Sequence, residues 1–180
     1  MNLWRPRKAL ANLNYLIRHR HTNNMTISTS TNGDTTLPRP TGPHTVGYSD
    51  VEFESHCGRT VLCRLHFPLS VNIKYTNDNR GMWLPSEEYH SGYGYYLRIP
   101  SWLSGALFKY IAGHVQMWAI RKPPLEGIVK PRAAIVLSHG LGGIRTTYST
   151  LCCELASQGY LVAAVEHRDG SASVTVDSKG

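Results

Sequence analysis

The clearest pattern of apolar and polar positions lies in the last third of the chain. AAIVLS (133–138) and LVAAVE (161–166) are continuous apolar runs of the kind found in strands covered on both faces. Between them Tyr148, Leu151, Cys152 and Leu155 recur at helical spacing. That spacing predicts a helix from about Ile144 to Gln158 that stops at Gly159. Strand, glycine turn, helix and strand form a βαβ unit, hence a parallel pair joined by a right-handed crossover. Upstream, YSDVEFESHCGRTVLCRLHFP alternates on either side of Gly58 and predicts an antiparallel hairpin. Residues 71–85 read as a loop leading to a short extended piece around Trp83.

The period changes at 101–113, SWLSGALFKYIAG, where Ser101 can cap a helix and Gly113 can end it. Trp102, Leu103, Ala106, Leu107, Tyr110 and Ile111 fall on one half of the helical wheel. Ser104, Gly105 and Lys109 lie off that half, and Phe108 lies outside the stripe. A face of this kind ordinarily packs on a core. Its mixture of Trp, Leu, Phe and Tyr also suits a helix lying in a lipid interface.

Length and charge narrow the classes. The 180 residues suffice for one domain or for part of a larger one. The formal charge of +7 is concentrated in Arg5, Arg7, Lys8, Arg18 and Arg20, with no acidic residue before Asp34. Residues 1–36 therefore read as a basic, polar, disordered tail, and 37–180 as the folded part. The tail is Arg-rich and acid-poor like a mitochondrial transit peptide, but a plain disordered extension accounts for it more simply. It has neither the compact apolar core of a secretory signal nor a glycine after Met1 for myristoylation. A cytoplasmic chain with peripheral membrane contact is favoured over a mitochondrial or secreted one. No apolar run is long enough to cross a bilayer. The folded part has no basic stripe interleaved with aromatics, which argues against nucleic acid as a partner. Cys57, Cys63, Cys152 and Cys153 show no metal spacing and read as small buried apolar residues; no metal and no cofactor is expected.

The chemistry concentrates in SHGLGGIRTTYS, 138–149. Gly140 and Gly142 match the first two glycines of a dinucleotide fingerprint, and Glu166 stands where a ribose-binding acid belongs. The third glycine position, however, is Arg145. A P-loop fails for want of Gly-Lys-Ser/Thr. His167-Arg168-Asp169 matches the start of a kinase catalytic loop, but Val174 replaces its metal-binding Asn. The remaining candidate is an oxyanion hole. His139-Gly140-Leu141-Gly142-Gly143 fits the HGGG-type loop of α/β-hydrolases, with glycines turning the backbone so that the Leu141 N–H faces a cleft.

The blocks TGPHTVG (41–47), SHGLGG-RT-YS (138–149), ELASQGYLVAAVEHRD (154–169) and SAS (171–173) resemble the platelet-activating-factor acetylhydrolases, the group VII/VIII-type phospholipases A2. The resemblance runs from about Pro38 to Ser173. It implies the N-terminal portion of an α/β-hydrolase fold, a hairpin followed by a βαβ unit. The implied activity is that of a calcium-independent serine esterase on phospholipids with a short or oxidised sn-2 chain. It implies that Leu141 supplies an oxyanion-hole amide, supported by His139, Gly140, Gly142 and Gly143. It also implies that the 101–113 helix meets a membrane or lipoprotein surface through Trp102, Leu103, Leu107, Phe108, Tyr110 and Ile111. HRD reads as a charged turn holding a strand end.

The nucleophile elbow GxSxG is not among these residues, since Gly170-Ser171-Ala172-Ser173-Val174 lacks the last glycine. The acid and base of a triad are missing with it. The expectation is a truncated hydrolase portion, inactive alone and of low stability. The alternatives are a non-catalytic lipid-surface module and, more weakly, a dinucleotide-binding fragment.

Overall fold

The computed structural model describes residues 28–29, 35–54, 58, 60–70 and 72–176. Along the chain run β1 (Ser28–Thr29), β2 (Thr35–Thr36), β3 (Thr45–Glu54), β4 (Thr60–Leu69) and β5 (Arg80–Met82). There follow α1 (Glu87–Tyr96), α2 (Ser101–Ala112), β6 (Gln116–Arg121), β7 (Ala134–Ser138), α3 (Ser149–Ser157) and β8 (Leu161–Val165). Strands β3 and β4 form the expected hairpin, in unbroken antiparallel register from Thr45 opposite Leu69 to Glu54 opposite Thr60. Its Gly58 has φ of 74°, a left-handed conformation that favours glycine.

The βαβ unit is also present, with β7 and β8 parallel from Ala134 opposite Leu161 to Ser138 opposite Val165. The two motifs join because β4 pairs antiparallel with β8. On the other side β3 pairs in parallel with β6, which also pairs with β2 and β5. Helix α3 packs on the sheet, placing Cys153 and Ala156 against Val46, Tyr48, Met117 and Ala119, and Cys152 against Val162 and Ala164. Cys63, Cys152 and Cys153 are free and buried, as small apolar residues are; Cys57 lies outside the described residues.

Several expectations need correction. Helix α3 starts at Ser149 and not near Ile144. The Thr147 hydroxyl accepts from the Ile144 N–H at 2.9 Å, and the Ser149 hydroxyl donates to the Thr146 carbonyl at 2.7 Å. These local bonds give 144–148 an alternative to the helix. The packed face of α3 is Ser149, Cys152, Cys153, Ala156 and Ser157, while Tyr148 and Leu151 are exposed. Strand β7 is not covered on both faces, for Val136 is 73% exposed. Helix α2 has Pro100 at its N-cap, so the cap role given to Ser101 does not hold. Sheet pairing begins before residue 37, since Thr36 sits opposite Gln116 and Thr35 opposite Thr29. The rest of the expected tail lies outside the described residues.

Helix α1 and strand β6 carry no clear signal in the apolar and polar pattern. Helix α1 is rich in tyrosine and glycine, poor helix formers, and forms because its glycines admit close neighbours. A Cβ on Gly94 would lie 2.0 Å from that of Ser104 on α2, and one on Gly92 2.3 Å from that of Val174. Strand β6, QMWAIR, is short and has no alternation to mark it.

The buried polar groups of the hairpin make stability depend on pH in two separate windows. His66 is fully buried, and burial together with the Arg64 charge holds its imidazole near a pKa of about 3. An unfolded histidine titrates near 6.5, so the unfolded chain binds the proton first as pH falls. The contribution of His66 is therefore whole above about pH 6.5 and is lost progressively down to about pH 3. Burial raises the Asp50 carboxyl, but the hydrogen bonds and charge of Arg64, with Arg145, outweigh burial and bring it from 3.8 to about 2. Its contribution is whole above about pH 4 and is lost towards pH 2. Urea unfolding at pH 7 and pH 5 is expected to show a loss of about 2 kcal/mol between them. His66→Leu should remove most of that difference and Asp50→Asn should leave it standing. The same slope in His66→Leu would show that other groups titrate there.

Candidate active site

The loop 139–144 leaves the C-terminal end of β7, where parallel sheets place their ligands. Gly142 has φ of 75° and carries the ring of Tyr96, which a Cβ there would meet at 2.3 Å. Its N–H donates to the Ser171 carbonyl at 2.7 Å, and the Gly143 N–H donates to the Gly140 carbonyl at 2.9 Å. Gly140 is sterically free, since a Cβ on it meets nothing within 4 Å. Of the loop's donors, the Gly140 and Leu141 N–H groups have no acceptor among the described residues. Leu141 is 77% exposed.

The loop is held from beneath by Arg145, which is buried. Its Nη1 donates to Glu166 Oε2 at 2.7 Å, and its Nε donates to Asp50 Oδ1 at 3.3 Å. Its own backbone N–H donates to Glu166 Oε1 at 3.2 Å. The Tyr89 hydroxyl, on α1, lies against both Arg145 Nη1 and Glu166. Burial, opposed by the Arg145 charge, pushes that hydroxyl up to about 12, so it remains a donor. Arg64 completes the cluster with two 2.7 Å bonds to Asp50. Two cations and two anions balance. This arrangement argues against a nucleotide site. Glu166 is committed to Arg145, and Tyr96 occupies the side of Gly142 that a pyrophosphate would approach.

His139 ties the same loop to β8. Its Nε2 accepts from the His167 N–H at 3.3 Å, which leaves Nδ1 to donate to the Gly140 carbonyl at 3.0 Å. The ring of His167 stands edge-on to that of His139, with centroids 4.5 Å apart. His167 Nε2 is 2.7 Å from Ser138 Oγ, a pairing that the sequence did not suggest. The reason is that the two residues are 29 positions apart and meet only through strand register. Arg168 donates to Glu52 Oε1 and to the Thr60 hydroxyl, and Asp169 accepts from Ser171.

Helix α2 presents its faces the opposite way from a core helix. Ser104 and Ala112 are buried, and Phe108 stacks on Tyr93 of α1 at 5.9 Å. Trp102 is 80% exposed and Tyr110 84%, and Leu103 and Ile111 are exposed beside them. Leu107 is half-buried. Tyr95 and Leu97, at the adjoining end of α1, extend the exposed apolar surface.

The sheet order and crossover define the α/β-hydrolase class. A ferulic acid esterase from Streptomyces cinnamoneus shares the fold with a TM-score of 0.54, over 74% of this chain and 36% of that one, at 21% identity. Within that class, the family described as platelet-activating factor acetylhydrolase, isoform II, matches residues 29–179, and the chain belongs to it. The platelet-activating factor acetylhydrolase of Canis lupus familiaris is 38% identical over 77% of this chain and 30% of its own length. That of Gallus gallus is also 38% identical, over 77% of this chain and 32% of its own. A putative phospholipase A2 of Schizosaccharomyces pombe is 33% identical over 67% of this chain and 27% of its own. The chain thus spans about 30% of the length of these curated relatives.

Buried and surface ion pairs separate sharply in what their loss costs. Arg145→Met leaves Glu166 and Asp50 short of a cation, and the expected loss in urea unfolding is about 3–5 kcal/mol. Arg168→Met breaks the surface pair with Glu52 and is expected to cost about 1 kcal/mol or less. Equal losses for the two variants would mean that the cluster does not hold this region together.

Proposed function

We propose that the chain is the oxyanion-loop portion of a phospholipid esterase that works at a lipid surface, on substrates with a short or oxidised sn-2 acyl chain. The observation that carries this reading is the Leu141 N–H. It has no acceptor among the described residues, and it sits in a loop fixed by Arg145, His139 and the Ser171 carbonyl. A donor fixed before reaction stabilises a developing oxyanion without reorganising, which is worth roughly a hundredfold or more in rate. The family to which the chain belongs, and the names of its relatives, support the substrate class.

Turnover also needs an activated serine with its base and acid. These 180 residues contain no GxSxG, so this polypeptide by itself is expected to be without turnover. Incubation with a 2-acetyl phospholipid should release acetate no faster than buffer does. Sustained release by the purified chain would overturn that assignment.

The exposed side of α2 is the proposed lipid contact, with Trp102, Leu103, Tyr110 and Ile111 entering the interface and Leu107 and Phe108 supporting them from behind. Each large apolar side chain buried there contributes roughly 1.5–3 kcal/mol. The double variant Trp102→Ser, Ile111→Ser should therefore weaken liposome flotation on the order of a hundredfold. Since both side chains are exposed, the variant should keep the parent's unfolding midpoint. Undiminished flotation would place the contact elsewhere.

A further inference from the structure

We propose that Ser138 and His167 form a nucleophile–base pair, and that this chain is therefore covalently acylated or phosphonylated at Ser138 by activated electrophiles. This goes beyond the esterase reading and does not depend on it. The pair stands at the C-terminal ends of adjacent parallel strands. Ser138 is the last residue of β7, and His167 follows β8 by two positions. Their side chains meet at 2.7 Å between Oγ and Nε2, the contact by which an imidazole takes the proton of an attacking hydroxyl.

Three further features set this contact apart from an ordinary strand-end hydrogen bond. The serine is exposed, so an electrophile reaches Oγ without displacing protein. The imidazole is oriented: its ring is edge-on to His139 at 4.5 Å, and its backbone N–H is held by His139 Nε2. The neighbouring residue Arg168 anchors the same segment to Glu52 and Thr60. Finally, the next residues along from Ser138 include Gly140 and Leu141, whose N–H groups have no acceptor among the described residues. Nucleophile, base and free donors thus share one end of the sheet. In catalytic serines a third group orients the base through its other ring nitrogen; here the His139 ring and the backbone bond hold the imidazole.

The step balances simply. With a fluorophosphonate, Ser138 Oγ bonds to phosphorus, the P–F bond breaks, and fluoride leaves with the electron pair. The hydroxyl proton passes to His167 Nε2 and from there to solvent. With an activated aryl ester, Oγ bonds to the acyl carbon, the C–O bond to the aryl group breaks, and the phenolate leaves. Water attacks a phosphonate ester slowly, so with the fluorophosphonate one equivalent of label per chain is expected.

A fluorophosphonate probe on the folded chain, followed by peptide mapping, tests the proposal. The expected result is a single adduct on Ser138, absent from Ser138→Ala and absent from the chain denatured before labelling. His167→Gln keeps a hydrogen-bonding group beside Ser138 but cannot take the proton. It should slow labelling at least a hundredfold with an unchanged unfolding midpoint. If His167→Gln unfolds, His167→Asn with imidazole added to the buffer gives the second measurement, with labelling expected to recover as imidazole rises. Three outcomes would overturn the proposal: no labelling above the denatured control, an adduct mapped to another serine, or parental labelling rates in a folded His167→Gln.

Discussion

A buried guanidinium cannot remain unanswered, and Arg145 governs how the parts of this chain meet. It is answered by Asp50 of β3, by Glu166 just beyond β8 and by the Tyr89 hydroxyl of α1. The hairpin, the βαβ unit and the helical pair therefore converge on one side chain. Removing either carboxylate leaves cationic charge short of its partner in the interior, which is far more costly than the net gain from forming the pair. Mutual dependence of this kind fixes geometry more than it adds stability. The geometry fixed here is the path of residues 139–146 above the sheet.

The sequence blocks shared with the family interlock in space, which gives each a physical reason. Thr41 donates to Glu154 through both its N–H and its hydroxyl, at 2.8 and 2.6 Å. The Gly42 N–H donates to Ser157 Oγ, and the His44 N–H donates to the Ser157 carbonyl. A Cβ on Gly42 would stand 2.3 Å from that carbonyl oxygen, so glycine permits the approach. TGPHTVG is thus the partner of ELAS, closing the C-terminal end of α3. In the same way SAS is the partner of SHGLGG, through the Ser171 and Gly143 carbonyls. The blocks are two mating pairs of surfaces.

What could be read in the sequence was what short-range pattern encodes. The apolar runs around Val136 and Val162 and the alternation around Gly58 gave strands, pairing and crossover. The HGLGG turn marked the candidate site. What could not be read depends on partners distant in the chain. Arg145 was visible only as a residue that spoils a glycine fingerprint, because Asp50 and Glu166 lie 95 and 21 positions away. Glu166 closing an apolar run was the one available signal that a buried acid needed a cation. The start of α3 was misplaced because Thr146 and Thr147 bond locally, and α1 was missed because its glycines serve packing and not helix propensity.

Helix α2 illustrates how packing can reverse a periodic pattern. Its wheel separates a large apolar half from a small one, and on periodicity alone the large half belongs inside. Helix α1, however, presents Gly94 at the crossing, where only a small neighbour such as Ser104 fits. Close approach of the two backbones forces the small half inward, and Trp102, Leu103, Tyr110 and Ile111 must then face out. Water disfavours that outcome, and the exposed apolar face is what supports the proposed lipid contact. The choice of glycine on one helix thus sets the face that its neighbour shows, and with it where the proposed lipid contact lies relative to the glycine loop.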